Sequence, residues 1–582
     1  MKRFLDNLSA REGRRWALAA VLAAAVLLFA ALSCTISYYD NDDLNIAWAL
    51  YGYRSGTPSF SHPFINFIMA GVVSFLSLLI PRVPWWLVIQ WVAMFCGMTA
   101  AFSAVFKISN HRGAPFLLSL VLCGLLVAGV YFYPVVLVTF TLSSTVLGIG
   151  GVALLLAADG QDSPKKQRCY WGLSIGYLCG SLLLRQSSGI CVLCFWAGAA
   201  LYRMVDALLC QRKQELSVQN DRPVRRAVVS VLTMALCATL LIMANAFGRA
   251  KLNPPGFIEF EEARAEYMDY PHDDINQNPA LYASVGWDCE LTNLTDAWFY
   301  MDERVNAENL MSIVENSTVR QLSFLQKLQR GWESIIVFLG KYPIAVYLLW
   351  MEGASLLALV VAFCGDRKRW LPFVTGLALT LGATVLMAYL CCMGRINLRT
   401  FMTVLFPTIL CLLLLTCELY TRRVWVLAAF ALLAGCVLLP GQRIFRTVLS
   451  YESDTAIAAS RSVTDYVLAH SENVYFRDVY AANNFDALSV YAQQKPTNLI
   501  DWGGCDMHSA TREKQMKVNG MVSPYADVFF MDHVYYICQP DDPYLDMLMA
   551  YMRKDWNASG YEIVDKIDEN IAVVKFLSNG GR

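Results

Sequence analysis

The chain has 582 residues, of which 56% are hydrophobic, 13% aromatic and only 16% charged. An ordinary soluble domain carries roughly 25% charged residues. The apolar excess is gathered into runs of roughly 17–24 residues with almost no charge, each long enough to cross about 30 Å of hydrocarbon. That excludes a soluble enzyme, a disordered chain and a nucleic-acid binder. The pattern is that of a polytopic membrane protein.

The 47 Lys and Arg balance the 47 Asp and Glu, but not locally. Segment 248–340 has an excess of eight acids and segment 441–582 an excess of six. The short connectors hold the compensating bases, and basic connectors face the cytoplasm. Met1–Arg15 carries Lys2, Arg3, Arg11, Arg14 and Arg15 ahead of the apolar run Trp16–Ile36. This reads as an uncleaved first span with a cytoplasmic N-terminus, so that Ser37–Ser61 lies outside.

Parity then constrains the next two apolar runs. Crossings at both Phe64–Ile80 and Pro84–Phe106 would place the basic connector Lys107–Arg112 outside. The shorter run, bounded by Pro63 and Pro81, is therefore expected to be re-entrant or interfacial. Further spans are expected at 114–133, 135–157, 169–184, 189–209, 227–247, 342–364, 370–392, 400–419 and 424–440. The total is about eleven crossings plus one irregular segment, with every basic connector inside.

The predicted organisation has four parts. An N-terminal membrane region covers 1–247, and a large extracytoplasmic loop covers 248–340. Further spans cover 341–440, and 441–582 alternates strand-like and helical runs, as in a small extracytoplasmic α/β domain. A loop as long as 248–340 is usually functional or a small domain. Most of the 18 cysteines lie in spans, where they act as small hydrophobes. Of the three expected outside, Cys505 and Cys538 are the candidate disulfide pair and Cys289 is left over.

Three clusters are able to carry chemistry. The first outer loop opens with Tyr38-Tyr39-Asp40-Asn41-Asp42-Asp43. These carboxylates read either as a charged helix start, with Asp an effective N-cap, or as a general base held at the membrane surface. Arg185, Arg249, Arg395 and Arg399 fall at outer ends of spans, where positive-inside statistics disfavour them. Arg395 and Arg399 are four apart, so a helix would put both on one face, suited to gripping a phosphate. The large loop opens with Glu259, Glu261, Asp269 and Tyr270 among aromatics, a composition that suits sugar hydroxyls and pyranose faces or simply a surface helix.

The acidic motif after the first span, the Ser61-His62-Pro63 step before an apolar segment, and Arg395-Ile396-Asn397-Leu398-Arg399 before a late span carry a resemblance. The chain resembles the C-type glycosyltransferase (GT-C) superfamily of membrane enzymes, bacterial envelope type, which use polyprenyl-phosphate sugars. The resemblance implies a GT-C-like all-α membrane domain and an inverting sugar transfer to an envelope glycan or glycolipid acceptor. Separately, the short basic connectors and the lack of sorting signals point to the plasma membrane of a bacterium. Asp42 and Asp43 would match the family's first-loop acids, with Asp40 as an alternate. Arg395, Arg399 and Arg185 would neutralise the leaving phosphate, whose charge grows in the transition state. A second outer-loop acid would come from Glu259, Glu261, Asp269 or Asp273. A divalent metal, Mg or Mn, is optional in that superfamily, and no ligand set here compels one. The alternatives are an envelope polysaccharide polymerase or ligase, a lipid-linked substrate transporter or flippase, and a non-catalytic scaffold.

Overall fold

The computed structural model describes residues 12–158, 163–213, 222–421, 426–437, 454–478, 490, 495–539, 541 and 543–579. The basic stretch 1–11, most of the connector 214–221 and the lead into the C-terminal domain at 438–453 lie outside the described residues.

Nine described helices are long and apolar enough to span a membrane. They are α1 (Glu12–Ser33), α4 (Trp85–His111), α5 (Phe116–Val136), α6 (Phe140–Ala157), α8 (Gln186–Lys213), α9 (Arg222–Leu252), α12 (Pro343–Gly365), α13 (Trp370–Cys392) and α14 (Leu398–Glu418). The helix α7 (Pro164–Leu184) is also of full length, but its first turns carry Lys165, Lys166 and Arg168. Of the last expected span, 424–440, the described part is α15 (Val426–Val437).

The irregular segment is a short helix, α3 (Phe67–Leu79). Its 13 residues rise about 20 Å, too little for a crossing. Both of its ends lie on one face. Asn245 near the end of α9 accepts from the Phe67 amide at 3.0 Å, and Trp85 Nε1 at the start of α4 donates to the Ile80 carbonyl at 3.0 Å. Ile68, Val72, Phe75 and Leu79 form an exposed apolar stripe. A short helix with both ends at one level fits the re-entrant or interfacial segment and not a crossing.

Small residues bring the central helices together. A Cβ on Gly97 of α4 would stand 2.2 Å from the Val146 carbonyl oxygen of α6, and one on Gly150 would stand 2.8 Å from Gly97 Cα. The driving force between apolar helices in lipid is packing, so close approach at small residues holds them. Gly97→Ala should cost about 1–3 kcal/mol by forcing α4 and α6 apart. A lowered thermal midpoint of the purified protein checks this.

Helix ends sort onto two faces. On one, Glu418 at the end of α14 accepts from Arg203 of α8 at 2.9 Å and from Arg112 beyond α4, while Lys166 pairs with Glu12 at 2.9 Å. The other, called the site face below, carries a short helix α2 (Asn41–Tyr51), the 248–340 segment and the C-terminal domain.

The 248–340 segment contains α10 (Phe257–Asp269), three shorter helices and α11 (Phe324–Lys341). The C-terminal domain holds α16 (Asp454–Ala469), α17 (Ala510–Val518) and α18 (Pro543–Asp555). Its five-stranded sheet has the order β4-β3-β5-β7-β6. In that sheet β3 (Val474–Arg477) runs parallel to β4 (Leu499–Asp501) and to β5 (Val534–Cys538). Antiparallel β7 (Ile571–Ser578) and β6 (Ala558–Asp568) complete it. β1 (Ser37–Tyr38) and β2 (Leu137–Val138) pair separately, next to α2. The two soluble segments share one core, in which the Phe299 ring lies 5.4 Å from Trp502 and 5.3 Å from Tyr551. Cys505 and Cys538 are not bonded to each other, so the anticipated disulfide is not formed. Cys538 is buried in β5, whereas Cys505 sits in the turn after β4.

Candidate active site at one membrane face

The helix α2 starts where the sequence places a cap. Asp40 is the N-cap, and its carboxylate accepts from the Asp42 amide at 3.2 Å. The β1–β2 pair and a 2.9 Å bond from the Tyr39 amide to the Val138 carbonyl fix this start against α6.

The three aspartates then divide. Asp43 is fully buried, and its Oδ1 accepts from Trp86 Nε1 at 3.0 Å, Gln90 Nε2 at 2.9 Å and the Phe140 amide at 3.1 Å. Its carboxylate thus caps the N-terminus of α6, where a negative charge is favoured. Burial still pushes its pKa up to about 7. Asp40 and Asp42 instead reach the site surface, each with an oxygen 2.8 Å from Arg399 Nη1 and about a quarter of its side chain exposed. Burial, followed by the neighbouring Asp42 charge, raises Asp40 above the usual carboxylate range, with Arg399 opposing.

The arginines divide as well. Arg395 and Arg399 share no helix face, because α14 begins at Leu398 behind an Asn397 cap and Arg395 stays in the preceding turn. Arg395 donates to Asp269 at 2.7 Å and to the Tyr270 hydroxyl at 2.7 Å, a latch between the end of α10 and the α13–α14 turn. The expected phosphate role of Arg395 and the expected sugar roles of Asp269 and Tyr270 are met by one another.

Arg185, between α7 and α8, pairs with no carboxylate among the described residues. Its guanidinium lies 4.5 Å from the Phe140 ring centre and donates to Ser187 at 3.1 Å, within electrostatic reach of Arg399, Asp42 and Asp40. Arg249 stands one turn after Asn245 on α9 and one turn before Asn253, which follows the helix end. Asn245 donates to Gln186 at 3.1 Å and Asn253 to Ser61 at 2.9 Å. That stripe faces Ser61–Phe67 and the α7–α8 junction. Arg249 Nε is buried with no hydrogen-bond partner, and no carboxylate pairs with Arg249 among the described residues. His62 is buried beside it, its pKa pushed down to about 4 mainly by burial, so the ring is neutral.

The remaining sugar candidates separate too. Glu261 is committed to a buried two-bond pair with Arg264, both bonds 2.7 Å. Glu259 lines a cleft of about 380 Å³ with Phe257, Phe260, His508, Glu513 and Tyr525. Asp273 is tied up by Ser317, Thr318 and Asn278. Asp40 and Asp42 are both paired with Arg399. Among the described residues no group of three His, Cys, Asp or Glu is arranged to hold a metal.

One cluster has no local sequence signal. Arg54, in the turn after α2, donates to Asn45 of α2 at 2.5 Å and pairs with Asp506 and, at 3.5 Å, with Asp501 of the C-terminal domain. Asp501 also takes Lys495 at 2.7 Å and Arg477 at 2.8 Å, and Asp506 takes Arg512 at 3.1 Å. Burial alone would raise Asp501, but Lys495, Arg477 and Arg54 hold it well below the usual carboxylate range. The domain is thereby bolted to the helix that carries Asp42.

Two crystal structures of ArnT from Cupriavidus metallidurans are similar to this chain, one in the apo state and one bound to undecaprenyl phosphate. They are 14% and 13% identical to it. In each case the match covers 96% of this chain and 97% of the other, with a TM-score of 0.39. No model of a known protein family matches the chain, and no curated protein matches it.

Proposed function

We propose that the chain is a membrane glycosyltransferase that moves a sugar from a polyprenyl-phosphate donor to a cell-envelope acceptor, with inversion. The observation that carries this is a pair of arginines without carboxylate partners, Arg185 and Arg249, on neighbouring helix ends beside the Asp40–Asp42–Arg399 cluster. Two uncompensated guanidinium groups at a membrane boundary suit a lipid phosphate.

In this reading Asp42 takes the proton of the acceptor hydroxyl. The acceptor oxygen bonds to the anomeric carbon from the side opposite the phosphate, and the bond from that carbon to the phosphate oxygen breaks. The bonding pair leaves with the polyprenyl phosphate, whose growing charge is met by Arg185 and Arg249. Arg399 orients the two carboxylates, and Asp43 anchors α2. The site face would be the outer face of a bacterial plasma membrane, with the N-terminus inside.

Arg185→Gln and Arg249→Gln should each weaken binding of sugar-free polyprenyl phosphate by about 1.5–3 kcal/mol, one charge-assisted bond's worth. Arg395→Gln should leave it unchanged. Native mass spectrometry of the purified variants checks this, and equal losses in all three would contradict the assignment.

The raised Asp40 gives a pH signature. Asp40 takes up its proton as pH falls through its raised pKa, removing one of the two carboxylates that hold Arg399. With Asp40 pushed up to about 8, turnover should fall between about pH 9 and pH 7, while Asp40→Asn should sit near the wild type's low-pH level throughout. A pH profile of the two proteins tests it.

The transporter alternative would rest on Glu352 of α12, whose Oε1 is buried with no hydrogen-bond partner among the described residues. It is a single carboxylate, and nothing in the site cluster adjoins it.

A further inference from the structure

The helix α11 (Phe324–Lys341) ends the 248–340 segment and takes no part in the cluster around Asp42. Ser323 and Gln326 form a reciprocal capping box at its start, so the helix is specified locally rather than imposed by its neighbours. Leu325, Leu328, Trp332 and Ile336 recur at spacings of three, four and four and so form one stripe. They are 76%, 40%, 68% and 54% exposed. Gln326, Arg330, Glu333 and Ser334 occupy the opposite side, where Val337 is the one large apolar residue, and Gln329 borders the stripe.

The level of the helix is set by three contacts. A Cβ on Gly331 would stand 3.0 Å from the Cys392 amide nitrogen, at the site-face end of α13. The Phe338 ring lies 5.2 Å from Phe401, one turn inside α14. One residue beyond Lys341, α12 begins its crossing. Leu381, Val385 and Tyr389, on the α13 helix against which α11 packs, are exposed in the same way as the stripe. The apolar surface of the spans thus continues onto α11.

We propose that α11 is an in-plane membrane helix whose Leu325–Leu328–Trp332–Ile336 stripe lies among the acyl chains of the site-face leaflet. An exposed stripe of this size on a water-facing helix is a liability, whereas beside an interfacial polar face it is the pattern of a surface-embedded helix. Trp332 suits that depth, since indole rings favour the headgroup boundary. The helix would hold the end of the 248–340 segment at a fixed height above the bilayer, next to the α13–α14 turn that carries Arg395.

The full-length protein, reconstituted in vesicles of phosphatidylcholine and phosphatidylglycerol, tests this with two carbene probes. One is a phosphatidylcholine with a diazirine on its acyl chain, and the other is a water-soluble diazirine. Trypsin releases 331–341 as one peptide, and a peptide of α13 serves as the lipid-exposed control. The lipid probe should label Trp332 and Ile336 as it labels the α13 peptide, with the aqueous probe confined to Glu333. Aqueous labelling of Trp332 and Ile336 without lipid labelling would overturn the proposal. So would protection of both residues from both probes, because a protein partner would then cover the stripe.

Discussion

Asp42→Asn should lower sugar transfer by about 10²–10⁴-fold, the usual contribution of a general base. Fold and lipid-phosphate binding should be left intact. The argument is positional. Of the three first-loop carboxylates, Asp43 spends one oxygen on three hydrogen bonds inside the protein. Asp40 is occupied as the cap of α2. Asp42 shares with Asp40 its partial exposure, its place beside Arg399 and its electrostatic reach to Arg185, but its carboxylate carries no capping bond. Asp43→Asn should behave differently, because an amide keeps an acceptor oxygen but loses the charge at the α6 N-terminus; its main effect should be on stability. Turnover and thermal midpoint measured on both variants separate the roles.

Arg54→Met should destabilise the protein by about 1.5–3 kcal/mol, the worth of a buried charge-assisted bond, because Asp501 keeps Lys495 and Arg477 and Asp506 keeps Arg512. Arg54 is buried against Asp506 and Asp501, and its other bond goes to Asn45 on α2. Losing it loosens the C-terminal domain from the helix that presents Asp42, so turnover should fall along with stability. Arg54→Lys should recover part of the stability, since a single ammonium replaces one charge but not the forked geometry. Thermal unfolding of the purified variants is the check. A loss below about 1 kcal/mol, the size of a surface pair, would contradict the bolt.

The membrane architecture was legible because hydropathy and parity are local signals. Pro63 and Pro81 bound the segment that holds the short helix α3, and of the three aspartates offered as a helix cap it is Asp40 that caps α2. The ambiguity over the acidic motif was also real, since Asp40 caps α2 while Asp42 pairs with Arg399 at the site surface. The pairings were not legible. Asp43 meets Trp86, Gln90 and Phe140, which are 43, 47 and 97 positions away. Arg395 meets Tyr270 across 125 positions, and Arg54 meets Asp506 across 452. Nothing in local spacing encodes such partners. The four-residue step from Arg395 to Arg399 misled because it assumed a helix that in fact begins only at Leu398. The large loop and the C-terminal domain likewise share a core around Trp502 that no run of residues announces.

The most direct test of the account is donor cleavage by the purified protein. A panel of radiolabelled polyprenyl-phosphate sugars would be incubated with wild type and with Asp42→Asn, following release of polyprenyl phosphate in the presence of an envelope lipid extract as acceptor. The account predicts release from at least one donor by wild type and its near-complete loss in Asp42→Asn, with lipid-phosphate binding retained. Release that persists undiminished in Asp42→Asn, or no release from any donor by a wild type that binds polyprenyl phosphate, would contradict it.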